Sequence, residues 1–148
     1  MFRTLSSGQI LRLGVVALLA AVISCSNSKV PPKVELSDAK VTITDTRNAT
    51  VSVNYKFIEG CARAGQWYRL DALFFGEGTS QGFFVYSGDS SGLSTKGSIQ
   101  KDWTNPPPYP AWKSGETLRY EITIYEGPSE KSKLIGISNE LKGEVKVP

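Results

Sequence analysis

Thr50-Val51-Ser52-Val53-Asn54-Tyr55-Lys56-Phe57 alternates polar and apolar residues without a break. Side chains on a strand point to opposite faces with a period of two, so Val51, Val53, Tyr55 and Phe57 share one face. Thr50, Ser52, Asn54 and Lys56 take the other, which makes this a half-buried strand of an antiparallel sheet. The same period runs outward from it. Val41-Thr42-Ile43-Thr44 alternates, and in Thr117–Tyr125 the residues Leu118, Tyr120, Ile122 and Ile124 oppose Arg119, Glu121 and Thr123. Leu134–Ile137 reads as a short strand, and Val145 and Val147 flank Lys146 in a last one. Trp67–Phe75 puts Tyr68, Leu70, Ala72 and Phe74 on one face, but Leu73 and Phe75 interrupt the polar face opposite. Phe83-Phe84-Val85-Tyr86 lacks a polar side altogether. Strands apolar on both sides are central or covered. Gly76-Glu77-Gly78 and Gly88-Asp89-Ser90-Ser91-Gly92 read as turns. No window after residue 24 has the 3.6-residue period of a long amphipathic helix. About seven short strands over 34–148 predict an all-β fold, an antiparallel two-sheet sandwich.

The closing third adds a family likeness. The turn at Ser114-Gly115, the strand with Leu118 and Tyr120, the turn at Gly127-Pro128 and the final strand resemble the closing hairpin of fibronectin type III and immunoglobulin-like domains. That resemblance implies a core tryptophan on an early strand, for which Trp67 is the candidate.

Composition narrows the function. The 148 residues include no histidine. Ser-His-Asp and Cys-His catalysis, the commonest neutral-pH proton shuttle and the commonest zinc ligand are all absent with it. No phosphate-binding loop, dinucleotide fingerprint, Cys-x-x-Cys or nucleophile elbow occurs. The expectation is therefore a protein that is not an enzyme, with no cofactor and no metal.

The N-terminal region carries its own signal. Arg3 and Arg12 precede an uninterrupted apolar run, Gly14 to Ile23, and Val22-Ile23-Ser24-Cys25 closes it. Ten apolar residues are too few to span a bilayer, which takes about 20, and suit a signal-peptide core of about 7–15. The order of basic leader, apolar segment, small residue and cysteine resembles a bacterial lipoprotein signal peptide. The resemblance implies cleavage between Ser24 and Cys25 and lipid on the Cys25 thiol and the new amino terminus. Ser26, rather than Asp, after the cysteine resembles the outer-membrane sorting pattern of two-membrane bacteria. The organisation expected is 1–24 a removed signal peptide, 25–33 a flexible tether with a Pro31-Pro32 stiffener, and 34–148 the sandwich. The leader holds two of the seventeen basic residues and none of the fourteen acidic ones, so the remaining 124 residues carry +1. Near neutrality offers no electrostatic case for nucleic acid. A disulfide between Cys25 and Cys61 would require an unmodified Cys25.

Three clusters could carry activity. In Trp103-Thr104-Asn105-Pro106-Pro107-Pro108-Tyr109-Pro110-Ala111-Trp112 the proline density forbids ladder pairing. Trp103, Tyr109 and Trp112 form either a coplanar platform for sugar rings or a partner, or the cap of a core end. In Glu59–Gln66, Cys61 is either a structural residue or a thiol activated by Arg63. Glu77 and Asp89, with Glu59 and Asp102, would have to converge at about 5–9.5 Å for carboxylate hydrolysis. The function expected is a lipid-anchored cell-envelope protein with a non-catalytic binding or structural domain. Its partners are the membrane through Cys25 and an envelope protein, a polysaccharide or a neighbouring copy. A carbohydrate-binding module is the first alternative and a small carboxylate hydrolase the second.

Overall fold

The computed structural model describes residues 28–148; the leader, 1–24, and Cys25 lie outside them. Eight strands follow in order: β1 Lys33–Ile43, β2 Asn48–Glu59, β3 Trp67–Gly76, β4 Thr79–Asp89, β5 Lys96–Thr104, β6 Thr117–Gly127, β7 Ile135–Gly136 and β8 Leu141–Lys146. β1-β2-β5 form one antiparallel sheet. β4-β3-β6 form the other, with β7 and β8 both on the outer edge of β6. The chain is thus an all-β, immunoglobulin-like sandwich.

The alternating residues do what their period dictates. Val51, Val53, Tyr55 and Phe57 meet Tyr68, Leu70, Ala72, Phe74, Leu118, Ile122 and Ile124 in one core. β3 is central, between β4 and β6. Its two outward apolar residues are covered: Leu73 lies over Gly82, where a Cβ would collide with it, and the Arg119 guanidinium sits 5.1 Å above the Phe75 ring. On the same outer face Arg69 pairs with Asp71 at 2.8 Å and covers the Phe84 ring at 4.8 Å. Burial pushes the Asp71 carboxyl up, against the lowering effect of Arg69.

β5 is the strand that the periodicity misses. Its core-facing side holds Gly97, Ile99, Lys101 and Trp103, opposite Tyr55, Val53, Val51 and Ala49. Only two of the four are large and apolar, because β5 is an edge strand and a lysine there discourages pairing with another chain. Lys33 pairs with Glu59, and Pro32 is buried.

The last strand is broken where the two sheets are joined at their edges. Ile137 donates its N–H to Ile124 O at 3.0 Å, and Ser138 Oγ accepts from Ile124 N–H at 3.0 Å. Val34 N–H then donates to Ile137 O at 2.8 Å. Next to it the Asn139 side chain acts as a piece of strand: Oδ1 accepts from Leu36 N–H at 2.7 Å and Nδ2 donates to Leu36 O at 3.1 Å. Asn139→Ala leaves both backbone groups of Leu36 without these partners. Its expected cost is about 2 kcal/mol, read as a lower urea midpoint with an unchanged m-value.

These registers define two ends. Lys33, Glu59, Trp67, Asp89 and Gly127 gather at the entry end, where the chain joins the sandwich. Ile43, Ala49, Gly76, Thr79 and Thr104 lie at the far end, about 30 Å away along a ten-residue strand.

Candidate functional site

The proline-rich connection from β5 to β6 closes the far end. Proline supplies no N–H, so the segment is held by side chains and by the β1–β2 turn. Asn105, buried, donates its backbone N–H to Arg47 O at 2.8 Å and its Nδ2 to Pro110 O at 2.8 Å. Arg47 Nη1 donates to Asn105 O at 3.1 Å and Tyr109 O at 3.0 Å. Trp112 N–H donates to Thr46 O at 2.9 Å.

So held, the three aromatic residues have three different fates. Trp112 is 2 % exposed, with its ring 5.5 Å from Phe74 and 5.7 Å from Trp103. Trp103 is half-buried and stacks on Phe83 at 4.8 Å, the planes 8° apart. Tyr109 is 61 % exposed. The coplanar, solvent-facing trio is not formed: the Trp103 and Trp112 planes differ by 50° and Trp112 belongs to the core. Trp67, the candidate for the core tryptophan that the fibronectin likeness implied, is only half-buried at the start of β3, with Nε1 donating to Ser87 Oγ at 3.2 Å. Tyr109 borders a hollow of about 380 Å³ with Ser80, Gln81, Gly82, Trp103 and Pro106. Gln81 donates Nε2 to Pro110 O at 2.5 Å, while its Oε1 is buried and has no hydrogen-bond partner.

The entry end holds a charged cluster. Period two carries the inward face of β6 from Leu118 through Ile124 to Glu126, so a carboxylate arrives at a core position with 1 % exposure. Arg63, on the β2–β3 loop, meets it bidentately, Nε to Oε1 at 2.9 Å and Nη2 to Oε2 at 2.6 Å. Tyr68 donates its hydroxyl to Glu126 Oε1 at 2.5 Å and accepts from Arg63 N–H at 2.7 Å. Arg63 Nη1 reaches Ser28 O at 3.3 Å, which holds the chain ahead of β1 against the domain. The Glu126 hydrogen bond holds the Arg63 proton more tightly than usual, although burial opposes it. This guanidinium is engaged with Glu126, and Cys61 is half-buried nearby in the sequence. The Glu126 phase was the sequence signal for the cluster; Arg63 had none beyond its loop.

Burial first, and then the hydrogen bond to Glu126, push the Tyr68 phenol well above its ordinary value. A raised phenol pKa means that the unfolded chain loses this proton first. Stability from Tyr68 is complete below about pH 10 and falls as pH rises beyond it. Tyr86 is pushed the same way by burial and then by Asp89. Urea midpoints measured from pH 9 to 12 are expected to fall steeply above 10, and less steeply in Tyr68→Phe.

Each of the four carboxylates is engaged by its own neighbour. Glu77 lies at the far end with Lys113 at 3.4 Å, and Asp89 at the entry end, so the two loops are not neighbours. Ser91 hydroxyl and N–H bonds hold Asp89 below the usual carboxylate range, where it caps the 3-10 turn Ser90–Gly92. Glu59 pairs with Lys33 at 2.6 Å, and Asp102 accepts from Thr50 Oγ1 at 2.7 Å. Among the described residues no group of three or more His, Cys, Asp or Glu is placed to hold a metal ion. No helix among them is long and apolar enough to cross a membrane.

No family model and no curated protein matches this chain. Among solved structures it is similar to a candidate beta-galactosidase from Bacteroides fragilis, at 12 % identity and TM-score 0.37, over 77 % of this chain and 17 % of that one. It is also similar to the Pseudomonas fluorescens alkylpurine DNA glycosylase AlkC bound to DNA with an abasic site analog, at 14 % identity and TM-score 0.43. That match covers 95 % of this chain and 40 % of the other. The chain thus spans less than half the length of either, and likeness at this level assigns it no activity.

Proposed function

We propose that the chain is a lipid-anchored cell-envelope protein whose sandwich serves as a non-catalytic binding or structural module. The observation that carries this reading is Val22-Ile23-Ser24-Cys25 at the end of a basic and apolar leader, eight residues before β1 begins. Acyl groups on Cys25 would hold the module at the membrane; more than one chain is needed for durable attachment. Ser26 favours the outer membrane in a two-membrane source. The local engagement of the four carboxylates and the absence of histidine support a role in binding. Intact mass is the test. A polypeptide lacking residues 1–24 and heavier by lipid is expected, and a Cys25→Ser variant that stays in membranes would overturn the reading.

A second reading is favoured by the far-end hollow: a site for a hydroxyl-rich ligand such as a saccharide. There the open Tyr109 ring would stack on a sugar face beside the half-buried Trp103. Titration with envelope glycans should change Trp103 fluorescence and fail to do so in Tyr109→Ala. An unchanged spectrum in the parent protein would exclude it.

A further inference from the structure

Val30 at 71 %, Ile58 at 53 % and Ile135 at 47 % are three of the five large hydrophobic residues left exposed among the described residues. All three belong to the entry end. Ile58 and Ile135 line a groove of about 770 Å³ with Pro31, Pro32, Val34 and Ile137, and Val30 leads into it. The groove lies over the seam where β1 of one sheet meets the Ile137–Asn139 segment after β7 of the other. Exposed apolar residues scattered singly need no explanation, but a contiguous set marks a contact surface.

Chain geometry identifies what this surface meets. Ser28 is already held by Arg63, so the tether is pinned to the domain before β1 begins. Cys25 is three residues upstream, and consecutive Cα atoms lie 3.8 Å apart, which puts the Cys25 Cα within about 11 Å of that of Ser28. The interfacial layer on each side of a bilayer is about 5–8 Å thick, from a 40–45 Å total around a 30 Å core. A sulfur acylated at that point keeps the entry end in the headgroup region or within about 6 Å of it, close enough for apolar side chains there to reach the interface.

We propose that the seam rests on the lipid surface, with Val30, Ile58 and Ile135 in the interface, and that this contact orients the sandwich with its far end outward. The inference rests on the lipid anchor proposed above. Charges at the seam are balanced, as in Lys33 with Glu59 at 2.6 Å, so the contact is apolar in origin. The long lysine stems of Lys29 and Lys33 can lie along it with their ammonium groups in water. The far-end hollow at Tyr109 then faces away from the membrane.

The test uses the full processed protein, purified from membranes, checked by intact mass and reconstituted in phosphatidylcholine vesicles. In a Cys61→Ala background, an environment-sensitive fluorophore is placed by Ile135→Cys or by Tyr109→Cys. With spin-labelled lipid present, the position-135 probe should be blue-shifted and lose most of its emission. The position-109 probe should lose none. Adding anionic lipid or salt should not change either result. Lipid on Cys25 with an unquenched probe at 135, or with quenching at 109 instead, overturns the orientation and leaves the anchor standing. A mass without lipid overturns both. A label at Val30→Cys supplies an independent check: its quenching should fall when Ile58→Ser and Ile135→Ser, both surface changes, are combined, and unchanged quenching would overturn the apolar contact.

Discussion

Arg63→Ala is expected to destabilise the domain by about 3 kcal/mol, the lower part of the range for cutting one partner from a buried ion pair. The lower part applies because the Arg63 side chain keeps 16 % of its surface open to water, against 1 % for Glu126. The loss comes mainly from what is left behind. Glu126 retains only the Tyr68 hydroxyl as a side-chain donor, and a carboxylate with one donor and almost no solvent is poorly compensated. Domains of this size have about 5–15 kcal/mol of stability in total, so the effect is large. Urea unfolding followed by tryptophan fluorescence measures it. Arg63→Lys should recover only part of the loss, because an ammonium is a point charge and cannot make the two parallel bonds that Nε and Nη2 make. Replacing both charges, Arg63→Met with Glu126→Leu, should restore most of the loss, since no unpaired charge remains. A double variant as unstable as Arg63→Ala would show that the cluster supports the loop through more than charge pairing.

Trp112→Ala is expected to cost about 3–5 kcal/mol and to lower Tm by roughly 10 °C or more. Trp112 is the side chain by which the β5–β6 connection enters the core, against Phe74 and Trp103. Removing it opens a cavity under a segment that its prolines cannot repair by backbone pairing. Tyr109→Ala, three residues earlier on the same loop, should stay within about 0.5 kcal/mol because its ring is in water. Calorimetry on the two variants separates the loop into its structural and its available parts. Similar losses for both would mean that Tyr109 also packs in solution.

The strands legible from sequence are those whose faces differ strongly. β2, β3 and β6 carry long apolar phases because one side of each is mostly buried, and their period fixes which side. β5 was not legible, since an edge strand buries little and its apolar phase holds only Ile99 and Trp103. The aromatic loop was visible as a cluster, but its composition does not say which ring turns inward. Arg47, Asn105 and the Thr46 carbonyl decide that, from positions up to 66 residues away. Glu77 and Asp89 look alike as acids in glycine-rich loops, yet the eleven-residue strand β4 places them at opposite ends.

Sequence by itself determined the all-β class, the inward faces of the main strands and the absence of histidine chemistry. Each of these follows from local properties, a two-residue period or a composition, that need no knowledge of what lies across the core. Only the tertiary structure decided the Arg63–Glu126–Tyr68 cluster, the inward turn of Trp112, the Asn139 clasp on Leu36 and the apolar seam at the entry end. Those depend on contacts between residues far apart in the chain, whose meeting is set by sheet register and by which edges close on each other.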